Sequence, residues 1–123
     1  MSGGQAPQAG AEHCAIFIRT DLDRPEDQSY FCSQAAKIAS EVDVPVALVG
    51  GNRDPESLEN ILQGTSIEYM SLCRPLICEP NLLNRWKSGD MEKAACTSCN
   101  WCLENARQGN DLACVLERNE SRA

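Results

Sequence analysis

The sequence predicts an α/β fold in which short parallel strands alternate with helices and a cysteine-rich tail follows. Three observations carry this expectation. Apolar runs suited to buried strands end in Gly50-Gly51 and in Arg74-Pro75, segments with helical periodicity and clear start and stop signals separate them, and Cys96-x-x-Cys99-x-x-Cys102, with Cys114 beyond, fills the C-terminal end. Strands separated by helices read as βα units with parallel strands and right-handed crossovers.

The opening residues 1–10 carry glycine and proline without any apolar period and read as a loop. Residues 14–18 (Cys-Ala-Ile-Phe-Ile) suit either a short strand or an ordered loop. From Pro25 a helix is expected to run to about Glu41. Proline starts it, Glu26 and Asp27 fill its first turn, and Tyr30, Phe31, Ala35, Ile38, Ala39 and Val42 recur at helical spacing. Residues 46–49 are expected to form a strand buried on both faces, because the apolar run from Val44 is nearly continuous and Pro45 sits where a strand tolerates it. Asp54 as N-cap and Pro55 at the first helical position open the next helix, which Gly64 stops. A strand at residues 67–72, a helical turn after Arg74-Pro75 and a helix over residues 80–88 ended by Gly89 complete the alternation. Two or three parallel strands leave unpaired edges, so the unit reads as part of something larger.

Composition narrows the function. The 123 residues suffice for one domain, and 18 acidic against 11 basic side chains give a formal charge of −7. Without a basic stripe there is no counterion release to drive nucleic-acid binding. No run reaches the ~18 apolar residues of a membrane span, and the first ten residues have neither the basic start nor the apolar stretch of a secretion signal. A cytoplasmic location is expected. Of the eight cysteines, four crowd the C-terminal end, a pattern of metal ligands in a reducing compartment more than of a disulfide framework.

The chemistry lies in three motifs. Cys96, Cys99, Cys102 and Cys114 supply soft thiolates, three from one loop and a fourth that closes the set. Four thiolates also make a structural zinc site, but zinc ribbons usually bring two separated C-x-x-C knuckles, whereas successive x-x spacing is ferredoxin-like. The second motif, Gly50-Gly51 after a strand and before a capped helix, suits backbone approach to an anion, although such pairs more often make a tight turn. The third, Cys73-Arg74 after the next strand, puts a guanidinium where a phosphate could sit. Paired loops after the last two strands are the recurrent phosphate site of (β/α)8 barrels. The remaining residues have plainer readings: His13 as a surface residue, Cys14, Cys32 and Cys78 as ordinary thiols, residues 21–27 as solvated charge, Trp86 as packing and Trp101 as a shield for the metal centre.

The runs Pro45-Val-Ala-Leu-Val-Gly-Gly-Asn-Arg53, Met70-Ser-Leu-Cys-Arg-Pro-Leu-Ile-Cys-Glu-Pro-Asn-Leu-Leu-Asn-Arg-Trp-Lys-Ser-Gly-Asp90 and Cys96-Thr-Ser-Cys-Asn-Trp-Cys102 resemble the C-terminal third of the Old Yellow Enzyme-like NADH:flavin oxidoreductases. The cysteines resemble those of the iron–sulfur branch, which includes 2,4-dienoyl-CoA reductase and trimethylamine dehydrogenase. Ser2-Gly3-Gly4 is similar to the end of that family's sixth strand. The resemblance implies the last βα units of an FMN-binding TIM barrel over residues 1–90, an incomplete barrel, and a cluster-binding tail over residues 91–123. It implies that Gly50, Gly51 and Arg74 hold the FMN phosphate, Arg74 mattering only where FMN is bound, with Cys73 contributing a backbone contact where many members have glycine. It also implies a 4Fe-4S cluster on Cys96, Cys99, Cys102 and Cys114 that exchanges single electrons with the flavin, served by a nicotinamide or an electron-carrier protein. The earlier barrel units, which carry the family's ring-contacting and proton-donating residues, have no counterpart here, so the chain is expected to be a fragment, a truncated product or a piece that needs the missing barrel portion. A small iron–sulfur electron-transfer protein without flavin and a zinc-stabilised interaction module are the alternatives. The chain alone is expected not to reduce an enone or enoyl-CoA with NADH. Steady turnover by the pure chain, followed at the NADH absorbance band, would contradict this.

Overall fold

The computed structural model describes residues 18–116. The loop at residues 1–10, Ser2-Gly3-Gly4, His13, Cys14 and nearly all of the strand at residues 14–18 lie outside them. Within them the chain forms a small helix-and-strand unit. After a single 3₁₀ turn at Pro25–Asp27, helix α1 spans Cys32–Glu41, strand β1 Ala47–Val49, helix α2 Pro55–Gly64 and strand β2 Tyr69–Ser71. Short helices α3 (Arg74–Cys78), α4 (Leu82–Lys87) and α5 (Trp101–Arg107) follow. No helix among the described residues is long and apolar enough to cross a membrane.

β1 and β2 pair in parallel, Ala47 with Tyr69, Leu48 with Met70 and Val49 with Ser71, with α2 as the connection. The capping signals act as read. The Asp54 carboxylate accepts the Glu56 N–H at 3.3 Å and the Ser57 hydroxyl at 2.8 Å, satisfying donors that the first turn leaves open. Ala39, Leu48 and Ile67 form the core, with Phe31, Cys32, Ala35, Ile61, Leu62 and Met70 packed around them.

Two elements differ from expectation. The helix foreseen from Pro25 to Glu41 is broken, because Ser29 adopts φ +47°. Its N–H donates to the Gly51 carbonyl at 3.1 Å and its hydroxyl to Asn52 Oδ1 at 2.8 Å, so tertiary bonds override helical periodicity and swing Tyr30 onto the strand end. The strand expected to be buried on both faces is covered on one: Leu48 is fully buried, while Ala47 and Val49 are exposed beside exposed Tyr69 and Ser71 of β2. The core side chains lie on the opposite face, and the apolar run reflects a second face that no described residue covers.

The C-terminal ends of the two strands are stapled by a buried polar side chain. Asn52, 3% exposed, donates through Nδ2 to the carbonyls of Leu48 (2.9 Å) and Ser71 (3.0 Å) while accepting from Ser29. A three-residue ladder supplies few hydrogen bonds of its own, so this staple fixes the register where both strands end. Removing it takes a buried donor from two carbonyls and the acceptor from the Ser29 hydroxyl, and Asn52→Ala is expected to lower the unfolding free energy by about 2–3 kcal/mol. Asn52→Asp is expected to be no better, because a carboxylate has no N–H for the two carbonyls. Urea denaturation measures both, and an unchanged midpoint in either variant would remove the staple from this role.

Candidate cofactor and metal centre

The loop after β1 is shaped by glycine in two ways. Gly50 and Gly51 have φ of +104° and +72°, which side chains rarely adopt, and a Cβ on Gly50 would lie 2.8 Å from the Tyr30 ring. The Tyr30 ring therefore packs against both glycines. The Arg19 guanidinium sits over that ring at 4.6 Å, and Phe31 meets it edge-on with centroids 4.8 Å apart.

Arg53 comes next in the same loop and is 95% buried, its exposure being 5%. Its Nη1 donates to the Leu22 carbonyl at 3.2 Å, and its Nε has no hydrogen-bond partner. No carboxylate pairs with it among the described residues. A buried cation with an orphaned donor is a costly arrangement that an anion would relieve.

The loop after β2 presents Arg74 at the first turn of α3. Its Nη1 donates to Asn100 Oδ1 (2.8 Å), the Ser98 carbonyl (3.3 Å) and the Arg19 carbonyl (2.7 Å), leaving Nε and Nη2 without a hydrogen bond among the described residues. The role implied for Arg74, confined to a bound phosphate, is thus incomplete. Even without a ligand the guanidinium ties the cysteine loop to the strand end.

That loop is docked by polar contacts along its length. The Ala94 N–H donates to the Arg53 carbonyl at 2.9 Å, the Ala95 N–H to Glu79 Oε1 at 2.6 Å, and Asn100 Nδ2 to the Ile18 carbonyl at 3.1 Å. Ser98 and Asn100, which alternate with the cysteines, both have left-handed backbone at φ +60° and +65°. The Ser98 N–H donates to Cys96 Sγ at 3.4 Å.

Two cavities result. The larger, about 400 Å³, falls in the range of small-molecule sites. It is lined by Tyr30, Gly50, Gly51, Arg53, Cys73 and Arg74 among others, and no carboxylate contributes to its wall among the described residues. The smaller, about 150 Å³, is lined by Cys96, Cys99, Cys102 and Cys114. Arg74, Ile77, Asn100 and Cys102 line both. The four site residues expected at the strand ends therefore share one cavity and the four expected ligands share the adjoining one.

No disulfide joins the seven cysteines among the described residues to one another. Burial pushes the Cys102 thiol up from its ordinary value, a hydrogen bond from the Leu103 backbone opposes this, the nearby Cys96 and Cys99 add to it, and the Arg74 cation opposes it. Among the described residues no three His, Cys, Asp or Glu are grouped closely enough to hold one metal ion. Cys96, Cys99, Cys102 and Cys114 are brought together as lining of one cavity. Trp101 lines that cavity but is 59% exposed, so it stands at the rim and does not seal the centre as expected. Tyr30, Asn52, Arg53 and Ser98 were not legible as site residues. Tyr30 fitted the helical period, and only the placement of Asn-Arg directly after the glycines hinted at the other pair.

The chain is similar to known proteins at low identity. It is 27% identical over 93 residues to an N,N-dimethylglycine/sarcosine dehydrogenase of Chromohalobacter salexigens, covering 75% of this chain and 13% of that protein. It is 24% identical over 92 residues to a 4,4'-dithiodibutanoate disulfide reductase of Rhodococcus erythropolis, covering 75% of this chain and 22% of that protein. It is 26% identical over 121 residues to a bilirubin reductase of Clostridium symbiosum, covering 89% of this chain and 31% of that protein. The relatives are oxidoreductases. The chain spans less than a third of the length of each, and the similarity is to that class rather than to one substrate. No family model and no solved structure matches the chain.

Because Arg74 anchors Ser98 and Asn100, Arg74→Met is expected to loosen the cysteine loop before any ligand is added. Losing a set of charge-assisted hydrogen bonds worth about 1.5–3 kcal/mol should speed amide exchange over residues 97–101 by about tenfold to a hundredfold. Exchange at the wild-type rate in those residues would limit Arg74 to ligand binding.

Proposed function

We propose that this chain supplies the phosphate corner of an FMN site and the thiolate ligands of a 4Fe-4S cluster to an NAD(P)H:flavin oxidoreductase of the Old Yellow Enzyme-like iron–sulfur branch, an ene-reductase or amine dehydrogenase by type. The observation that carries the reading is the shared wall. A cavity to which the described residues bring two guanidiniums and no carboxylate adjoins a cavity whose lining includes Cys96, Cys99, Cys102 and Cys114, and Arg74 and Cys102 line both. The similarity to three oxidoreductases supports the redox class.

The residues fit the two groups in different ways. Arg53 offers an orphaned buried donor and Arg74 two open guanidinium nitrogens, so an anionic phosphate would complete hydrogen bonding that the protein leaves open. Cys73 lines the same wall and offers only backbone, as its exposed thiol is no phosphate donor. The four thiols line one cavity, and three of them at successive x-x spacing suit a cluster better than zinc, whose ribbons usually bring two separated knuckles. When bound, the flavin would exchange hydride or single electrons and the cluster single electrons. The chain's own work is to hold the phosphate, to shield the space between the cavities with Ile77 and Leu103, and to keep the cysteine loop in register through Arg74.

The exposed face of the two-stranded sheet supports an incomplete (β/α)8 barrel. Val49 (54% exposed) and Tyr69 (59% exposed) share one face with Ala47 and Ser71, the face that further strands of a barrel would cover. The rest of the barrel is then what completes the site, and a nicotinamide or electron carrier its partner. Cysteines gathered at one cavity as metal ligands suit a reducing cytoplasm. A second reading, a flavin-free electron-transfer protein, is favoured by the Tyr30 ring, which covers the glycine face.

Anaerobic reconstitution separates these readings. The chain is expected to take up about four iron and four sulfide, and to retain FMN more weakly when Arg53 or Arg74 is replaced by Met. Iron and sulfide without FMN retention would favour the flavin-free reading, and zinc in place of iron would overturn the redox role.

A further inference from the structure

Five thiols line the smaller cavity rather than the four that the spacing singles out. Cys78, at the end of α3, lines it with Cys96, Cys99, Cys102 and Cys114. The wall that carries Cys78 is fixed. Glu79, the next residue, accepts the Ala95 N–H at 2.6 Å, one position before Cys96. Its carboxylate is gripped by Arg85, Nε to Oε2 at 3.0 Å and Nη2 to Oε1 at 3.2 Å, and Arg85 also donates to the carbonyls of Glu92 and Lys93. The residue after Cys78 and the residue before Cys96 are thus hydrogen-bonded to each other, and the entry of the cysteine loop is held against the end of α3.

Three of the five thiols come from one short segment, Cys96 and Cys99 from the loop and Cys102 from the first turn of α5. The remaining corner must be filled from outside that segment. Two thiols from outside it reach the cavity: Cys114, beyond α5, and Cys78 on α3. The other described cysteines do not compete. Cys32 packs against the sheet core, and Cys73 lines the larger cavity.

We propose that Cys78 is an alternative ligand for the cluster corner that Cys114 holds. The inference rests on the reading of this site as a cluster site. In the exchange, the Cys78 thiol gives up its proton as an Fe–Sγ bond to Cys78 forms, the Fe–Sγ bond to Cys114 breaks, and the Cys114 thiolate takes up a proton. No electrons change hands, so neither oxidant nor reductant is required. On this proposal Cys78 does more than an ordinary thiol, and the loss of the C-terminal ligand leaves the cluster in place.

The test uses the full chain, reconstituted anaerobically with iron and sulfide, as wild type, Cys78→Ser, Cys114→Ser, Cys78→Ser/Cys114→Ser and Cys32→Ser/Cys114→Ser. Wild type and Cys78→Ser are expected to load fully. Cys114→Ser and its Cys32→Ser partner should keep at least about half of the iron, because a thiolate still completes the ligand set, while the Cys78→Ser/Cys114→Ser chain should lose nearly all of it. Iodoacetamide mapping gives a readout independent of yield: in loaded Cys114→Ser, Cys78 should be protected and become reactive on chelation. Cys114→Ala should behave the same way. Equal iron loss in Cys114→Ser and the Cys78→Ser/Cys114→Ser chain, or Cys78 alkylation unaffected by chelation, would overturn the alternative ligand while leaving the cluster reading intact. Wild type that loads no iron would overturn the cluster reading itself.

Discussion

One nitrogen of Arg74 joins the two halves of the site. Its Nη1 reaches the Ser98 carbonyl, Asn100 Oδ1 and the Arg19 carbonyl, and so links the end of β2 to the cysteine loop and to the segment that carries Arg19 across Tyr30. A point charge on a flexible stem would not span three acceptors with the same fixed geometry, whereas a planar guanidinium does so with one edge and keeps the other edge open. The loop from Ala94 to Cys102 has little apolar surface to bury. Its order comes instead from hydrogen bonds to Arg53, Glu79, Arg74 and Ile18, with Ala94 and Ser98 buried at the contact points.

The strand ends are governed by a second buried polar group. Asn52 ties Leu48 to Ser71 and to Ser29, and the break in the helix at Ser29 brings Tyr30 over the glycines. Two residues of positive φ, Gly50 and Gly51, are needed both for the turn and for the closeness of that ring. Almost every buried polar atom in this corner is satisfied, which makes the unpaired Nε of Arg53 conspicuous. It is a buried donor in a wall to which no described residue contributes a carboxylate.

Much of this was legible in the sequence, for physical reasons that differ by residue. The Asp54-Pro55 helix start and the glycines after β1 were readable because capping and positive φ select particular residue types locally. The parallel pairing of β1 and β2 followed from the helix between them. The four cysteines were readable because their spacing is itself the signal, and they line one cavity. The break at Ser29 was not readable, because it depends on bonds to Gly51 and Asn52 more than twenty positions away. The open face of the sheet was misread, since an apolar run records what a strand is built to bury and not what the described residues cover. The double duty of Arg74 and the presence of Cys78 beside the four ligands are matters of three-dimensional approach, and neither leaves a mark in local spacing.

Hydrogen exchange of the reconstituted chain, with and without FMN, tests most directly whether the two cavities form one site. With both guanidiniums facing the added phosphate and Arg74 bridging to Ser98 and Asn100, FMN is expected to slow exchange at residues 50–53 and, together with them, at residues 95–102. Protection confined to residues 50–53, or absent from both segments, would contradict a shared site.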